Sequence, residues 1–155
     1  MIKTQKTIIK IAFAMYCILM LWLLFGQRIG WNTAESYFEQ LKHSINLIPF
    51  HTIQIFVNSL LKGNNTSEIR HAVINLAGNI VMFIPLGFFV PSFSKKFNKL
   101  LKTLACAMLC IITVEILQLL LLLGSCDIDD LILNMVGVTV GYTLYQFYLA
   151  RGKRK

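Results

Sequence analysis

Four apolar runs, each close to the thickness of a bilayer, decide what this chain can fold into. They cover residues 8–25, 72–90, 103–123 and 128–149. A helix needs about 17–25 mostly apolar residues to cross the hydrocarbon core. Only helices and closed barrels satisfy their own backbone there. Lys10 interrupts the first run near one end, where a lysine can reach back to the headgroups. The last two runs are separated only by residues 124–127, so they are expected to form an antiparallel helical hairpin. The composition agrees: 56% of the 155 residues are apolar, 14% are charged, and the mean hydropathy is +0.65. That balance excludes a disordered tail, a collagen-like fibre and a disulfide scaffold, and it does not suit a soluble globular enzyme. The length allows a single domain, residues 1–155. A transport role would need a homo-oligomer, because the chain is short for a transporter built from paired repeats.

The net charge of +8 resembles a nucleic-acid signature until the charges are placed. Lys3, Lys6 and Lys10 precede the first run; Lys95, Lys96, Lys99 and Lys102 lie between the second and third; Arg151, Lys153, Arg154 and Lys155 follow the fourth. These segments carry eleven of the fifteen basic residues and no acid. The opposite side mixes Arg28, Lys42, Lys62 and Arg70 with Glu35, Glu39, Glu68, Asp127, Asp129 and Asp130. Basic loops stay cytoplasmic, which predicts an all-α, polytopic cell-membrane protein with four spans and both termini inside. No aromatic-rich basic patch accompanies the charge, so nucleic acid is not an expected partner. The first run reads as a retained signal anchor, since Phe25-Gly26-Gln27-Arg28 offers no small-x-small cleavage site. Cys17, Cys106, Cys110 and Cys126 form neither a CxxC pair nor a framework.

Residues 27–71, the first outer connection, are too polar to span but are patterned. Ala34, Tyr37, Phe38, Leu41 and Ile45 follow helical spacing, with Asn32 and Glu35 placed as a capping box. Ile53, Phe56, Val57, Leu60 and Leu61 do the same after Pro49. Two helices lying in the headgroup layer are expected. Asn46-Leu47-Ile48-Pro49-Phe50 between them is expected to form a surface or re-entrant turn, and residues 63–67 a polar loop. Asn64-Asn65-Thr66-Ser67 matches a glycosylation pattern of low specificity.

The polar residues inside the spans carry the chemistry. A carboxylate near mid-membrane costs about 2.5–3.5 kcal/mol on insertion scales, so Glu115 needs a proton, a cation or a donor. At about 1.5 Å per residue, Glu115 and Asn79 each lie about 12 Å below the outer end of their spans, and Asn134 about 10 Å. Gln118 shares a face with Glu115, and Asn75 with Asn79. Asp127, Asp130, Asn134, Gly137 and Gly141 form one stripe. Asn75, Asn79, Glu115, Gln118, Asp127, Asp130 and Asn134 are therefore expected to surround a polar chamber in the outer half. Gly137-x-x-x-Gly141 suits close helix packing. Pro85 is expected to kink the second span by removing a donor from the Val81 carbonyl. Gly78 and Gly87 would ease packing on either side, and Pro91 would end the span.

Duller readings compete. Asp127, Asp130 and Asp129 can cap the fourth helix and satisfy its dipole, and the asparagines and Gln118 can be interhelical glue worth about 0.6 kcal/mol. No organic cofactor is expected. A divalent cation on Glu115, Asp127 and Asp130 is one way to neutralise the acids and could activate water. No Ser/His/Asp set, HExxH helix or phosphate-cradling loop is present, and His71 is a weak general-base candidate.

These motifs, in order, are Asn46-Leu47-Ile48-Pro49-Phe50; Asn75-x-x-x-Asn79 running into Phe83-Ile84-Pro85-Leu86-Gly87; Glu115-x-x-Gln118; and Asp127-Ile128-Asp129-Asp130-Leu131-x-x-Asn134-x-x-Gly137-x-x-x-Gly141. Together they resemble the VanZ-like family of small bacterial membrane proteins, over about residues 40–149. The resemblance implies a role in lowering susceptibility to lipoglycopeptides such as teicoplanin, with little implied for vancomycin. Many relatives carry an Arg in the turn where Gly124-Ser125-Cys126 stand here, so a counter-ion for the acids is missing. Three roles follow as expectations. One is contact with membrane lipid heads or a lipoglycopeptide acyl tail. Another is an intramembrane carboxylate enzyme acting on a lipid-linked envelope precursor. The last is a structural or partner-binding role with the polar cluster as glue.

Overall fold

In the computed structural model the chain is helical almost throughout, and the structure describes residues 3–26, 36–62 and 66–152. Arg28, the Asn32–Glu35 capping box, residues 63–65 and the last three basic residues lie outside the described residues. Helix α1 (Lys3–Leu21) continues as a π-helical turn, Trp22–Gly26. Two short helices follow, α2 (Tyr37–His43) and α3 (His51–Lys62). Three long ones complete the chain: α4 (Thr66–Phe93), α5 (Leu100–Leu120) and α6 (Ile128–Gly152). Residues Thr4–Gly26, α4 and α5 are each long and apolar enough to cross a membrane, and the chain is a membrane protein. Helix α6 has 25 residues, but Asn134, Thr139, Thr143, Gln146 and three tyrosines dilute its apolar character.

The α4–α6 pair is the spine. A Cβ added at Gly137 would collide with the Ile80 carbonyl, at Gly141 with the Ile84 carbonyl, and at Gly87 with the Val138 carbonyl. Backbone thus lies on backbone at three points, which is what the absence of side chains permits. Partners rise together in number (137 with 80, 141 with 84), so α4 and α6 run parallel. Gly78 behaves otherwise, because a Cβ there would meet nothing within 4 Å. Helix α4 begins six residues before the expected span and runs through both prolines, so Pro91 does not end it. Pro91 is buried, and beyond it the Ser92 hydroxyl donates to the Phe88 carbonyl at 2.7 Å. Packing holds the helix where propensity alone would stop it.

Helices α1 and α5 run the opposite way. The Tyr16 hydroxyl donates to the Met82 carbonyl at 3.0 Å, and Phe13 meets Phe93 with ring centroids 4.8 Å apart. Nearby, Tyr142 donates to the Asn98 carbonyl at 2.7 Å and Thr103 to the Phe97 carbonyl at 2.6 Å. The start of α1, the α4–α5 connection and the tail of α6 therefore share one end of the bundle, the basic end. Met20, Phe83, Ala107, Ile111 and Val138 form the core between the helices.

At the other end α5 stops at Leu120, three residues before its expected limit. Leu122 adopts φ 53°, Leu122 N–H donates to the Leu119 carbonyl at 3.0 Å, and Leu123 N–H reaches back to the Gln118 carbonyl at 2.8 Å. This is a Schellman cap with leucine in the left-handed position that glycine usually fills. The connection to α6 is correspondingly longer than the expected four residues and contains a strand. Ile45–Asn46 (β1) pairs in parallel with Cys126–Asp127 (β2), Ile45 opposite Cys126 and Asn46 opposite Asp127. The segment after α2 is thereby tied to the start of α6. Helix α2 also docks on α5, its Tyr37 hydroxyl donating to the Leu120 carbonyl at 2.9 Å. Both α2 and α3 keep apolar side chains open, notably Phe38 and Leu61, as expected of helices made to lie in a headgroup layer.

Candidate functional site

The acidic end of the bundle holds two polar clusters that the first turns of α6 divide between them. One is a clasp around α3. Asp127 is the N-cap of α6, its Oδ1 accepting the Asp129 N–H at 2.9 Å. Its Oδ2 accepts the Thr52 hydroxyl at 2.6 Å and the Asn46 amide at 3.2 Å. The Asn46 amide also donates to Thr52 Oγ1 at 2.8 Å. Asp129 has no solvent exposure (0%). It accepts the Phe50 N–H at 2.5 Å and the Ile53 N–H at 3.0 Å. Those are the N-cap and N3 donors of α3, the pair that a capping box would satisfy locally. Here a carboxylate seventy-odd residues downstream does it. Phe50 itself has φ 65°, a conformation costing roughly 1–2 kcal/mol for a non-glycine residue, and the Asp129 bond holds it in place. Asp129 thus caps α3, where the sequence reading had it capping its own helix.

The other cluster lines a cavity of about 30 Å³ between α4, α5 and α6. Its polar walls are Asn79, Glu115, Gln118, Asp130, Asn134 and Ser125; its apolar walls include Leu24, Phe83 and Ile111. Five of the seven residues expected in an outer-half chamber meet there. The equal-depth arithmetic succeeds because α4 and α6 run parallel, which puts Asn79 level with the first turns of α6. The Asn79 amide donates to Asp130 Oδ1 at 2.5 Å, bridging the two helices. The Gln118 amide donates to the Leu24 carbonyl at 2.9 Å, meeting one of the last carbonyls of the π-helical turn. Glu115, Gln118 and Asn134 are buried. Ser125 is exposed, so the cavity opens toward the α5–α6 turn.

Two expected members are elsewhere. Asn75 is exposed and its amide donates to the His71 carbonyl of its own helix at 2.9 Å. Positions i and i+4 differ by roughly 40° around a helix of 3.6 residues per turn, enough to turn Asn75 away from the cavity that Asn79 lines. Asp127 faces the clasp. The three acids Glu115, Asp127 and Asp130 therefore do not converge, and among the described residues no group of three His, Cys, Asp or Glu side chains could hold a metal ion. His71 is exposed and lines no part of the cavity. Leu24 and Ser125 join the cavity without any sequence signal. Asn46, Thr52 and Asp129 form the clasp through contacts too distant in sequence for spacing to reveal. Next to both clusters, burial pushes the Cys126 thiol up, and the Glu115 and Asp127 charges add to the effect. No basic side chain lines the cavity wall.

The same residues define the class of protein. The sequence pattern of the VanZ/LLP1 family matches residues 13–149, a stretch that contains α2, α3, both polar clusters and the glycine spine. The chain belongs to the VanZ/LLP1 family. Among curated proteins, Protein VanZ of Enterococcus faecium is 29% identical over 132 residues, which cover 85% of this chain and 70% of that protein. No solved structure matches the chain.

Proposed function

We propose that this is a four-span cell-membrane protein that lowers susceptibility to lipoglycopeptide antibiotics such as teicoplanin. It would do so by engaging lipid-bearing molecules at the outer leaflet through the polar cavity. Family membership supports the resistance role. The single observation that carries the site is the convergence of Asn79, Glu115, Gln118, Asp130 and Asn134 on one cavity inside an apolar bundle. Polar groups at that depth are costly and are kept where they act.

Two features support the topology. Helix α6 runs parallel to α4 along the glycine spine, so it crosses whatever α4 crosses. At about 1.5 Å per residue it is roughly 37 Å long, against a core of about 30 Å. The basic segments of α1, the α4–α5 connection and α6 share one end, which the positive-inside rule makes cytoplasmic. The cavity, the clasp and the two short helices then face outward.

The cavity's size limits what enters it. About 30 Å³ holds a few atoms, comparable to a water or two. It takes the tip of a polar headgroup, while the open apolar faces of α2 and α3 meet acyl chains. Each methylene of a drug tail adds about 0.8 kcal/mol of membrane anchoring. A protein that disturbs that anchoring weakens tailed drugs and spares tailless ones. The test is to compare the susceptibility of expressing and non-expressing cells to teicoplanin and to a tailless glycopeptide. A shift confined to the tailed drug is expected; equal shifts for both would remove this reading.

A further inference from the structure

We infer that the cavity between α4, α5 and α6 is a binding site for a primary ammonium group, held by side-chain oxygens of Glu115, Asp130 and Asn134. The inference rests on the proposal that this cavity is the functional site, and it names the ligand chemistry.

Asn134 starts the argument. Its side chain is 3% exposed, lines the cavity, and its buried Oδ1 has no hydrogen-bond partner among the described residues. A buried carbonyl oxygen without a donor costs about 1–3 kcal/mol, so the site calls for a group that brings N–H or O–H. Glu115 and Asp130 supply carboxylates to the same cavity. Asn79 donates to one oxygen of Asp130, and a carboxylate offers about four lone-pair positions in all. No lysine, arginine or histidine is among the lining residues. The wall is therefore rich in oxygen acceptors and has no basic side chain.

Ligand size and coordination narrow the choice. An ammonium offers three donors, which match the three acceptor side chains, and its tip fits a cavity of about 30 Å³. A trimethylammonium head offers no N–H and cannot satisfy Asn134. A hard divalent cation wants about six or more oxygens, and the described residues contain no metal-holding group of three acidic, His or Cys side chains. The approach is from the α5–α6 turn, where exposed Ser125 borders the cavity at the level of lipid headgroups. The ammonium would come from an amine-bearing lipid head or from a free small amine.

The test uses the full-length protein purified in neutral detergent micelles. Thermal unfolding is followed while ethanolamine, choline, sodium or magnesium chloride is added at equal ionic strength. Ethanolamine alone is expected to raise the Tm, by roughly 3–5 °C at tenfold its Kd. Asn134→Leu should abolish the shift, and Asn134→Asp, which keeps the acceptor and adds charge, should preserve or enlarge it. An equal response to choline, sodium or magnesium overturns the inference, as does no response to any of them. So does an undiminished shift in Asn134→Leu, or a lost shift in folded Asn134→Asp, which remains informative if the leucine variant fails to fold. Nanodiscs of ethanolamine-headed or choline-headed lipid, without added amine, separate the sources. Stabilisation only by the former identifies a lipid head; no difference, with free ethanolamine still active, identifies a soluble amine. Because the readout is binding, its failure is distinct from loss of drug resistance.

Discussion

Asp129 and Asp130 are neighbours on one helix, yet they serve opposite kinds of environment. Asp129 lies in the α3 clasp, where each polar group has an identified partner: two backbone N–H groups on Asp129, a hydroxyl and an amide on Asp127. Asp130 lies in the cavity, where Asn79 reaches it but the buried Asn134 oxygen has no partner. A turn of helix separates the two regions, and the 100° between successive residues sends adjacent carboxylates to different neighbours. The lesson is that acidity and depth do not distinguish a structural carboxylate from a ligand-binding one. Hydrogen-bond saturation does. A saturated cluster fixes the fold, and an acceptor-rich cluster with an orphan oxygen invites a ligand.

Substitutions can break or sharpen this contrast. The largest stability loss is expected for Asp129→Ala. It frees two backbone N–H donors at the start of α3, and hydrogen bonds to charged groups are worth about 1.5–3 kcal/mol each. A loss of about 3 kcal/mol should appear as a lower Tm in micelles and reduced membrane abundance, with any resistance falling in proportion. Normal stability would remove the clasp from the account. Thr52→Val deletes a hydroxyl that both donates to Asp127 and accepts from Asn46, and should cost about 1–2 kcal/mol. A loss matching that of Asp129→Ala would mean the clasp is centred on Asp127. The smallest effect belongs outside both regions. Leu122→Gly relieves the left-handed conformation of the α5 cap at the cost of greater unfolded-state freedom. A net gain of about 0.5 kcal/mol is expected, read as a slightly higher Tm, and a loss would show that Leu122 contributes packing.

The architecture was legible wherever periodicity and length suffice. All four long helices, both short amphipathic ones and the glycine stripe follow from spacing, with ends displaced by a few residues. Pro91 misled because it is buried inside α4, which runs on to Phe93, and burial overrides its local tendency to stop a helix. Asn79, Glu115, Gln118, Asp130 and Asn134 could be brought together by counting residues from the ends of their spans. Asn75 defeated that count because depth carries no rotational information. Asp127 and Asp129 defeated it because their partners, Asn46, Phe50, Thr52 and Ile53, lie on the far side of two long helices in sequence. The β1–β2 pairing that joins them spans only two residues per strand, too few for an alternating pattern.

The central claim is that the cavity acts and the clasp supports. Glu115→Gln tests it most directly, because the change keeps the shape and replaces one carboxyl oxygen with an amide NH2. Teicoplanin susceptibility and the membrane abundance of the same protein should be measured together. The account predicts normal abundance with the difference between expressing and control cells abolished. Full protection at normal abundance would contradict it, as would a loss of protection that only tracks a loss of protein.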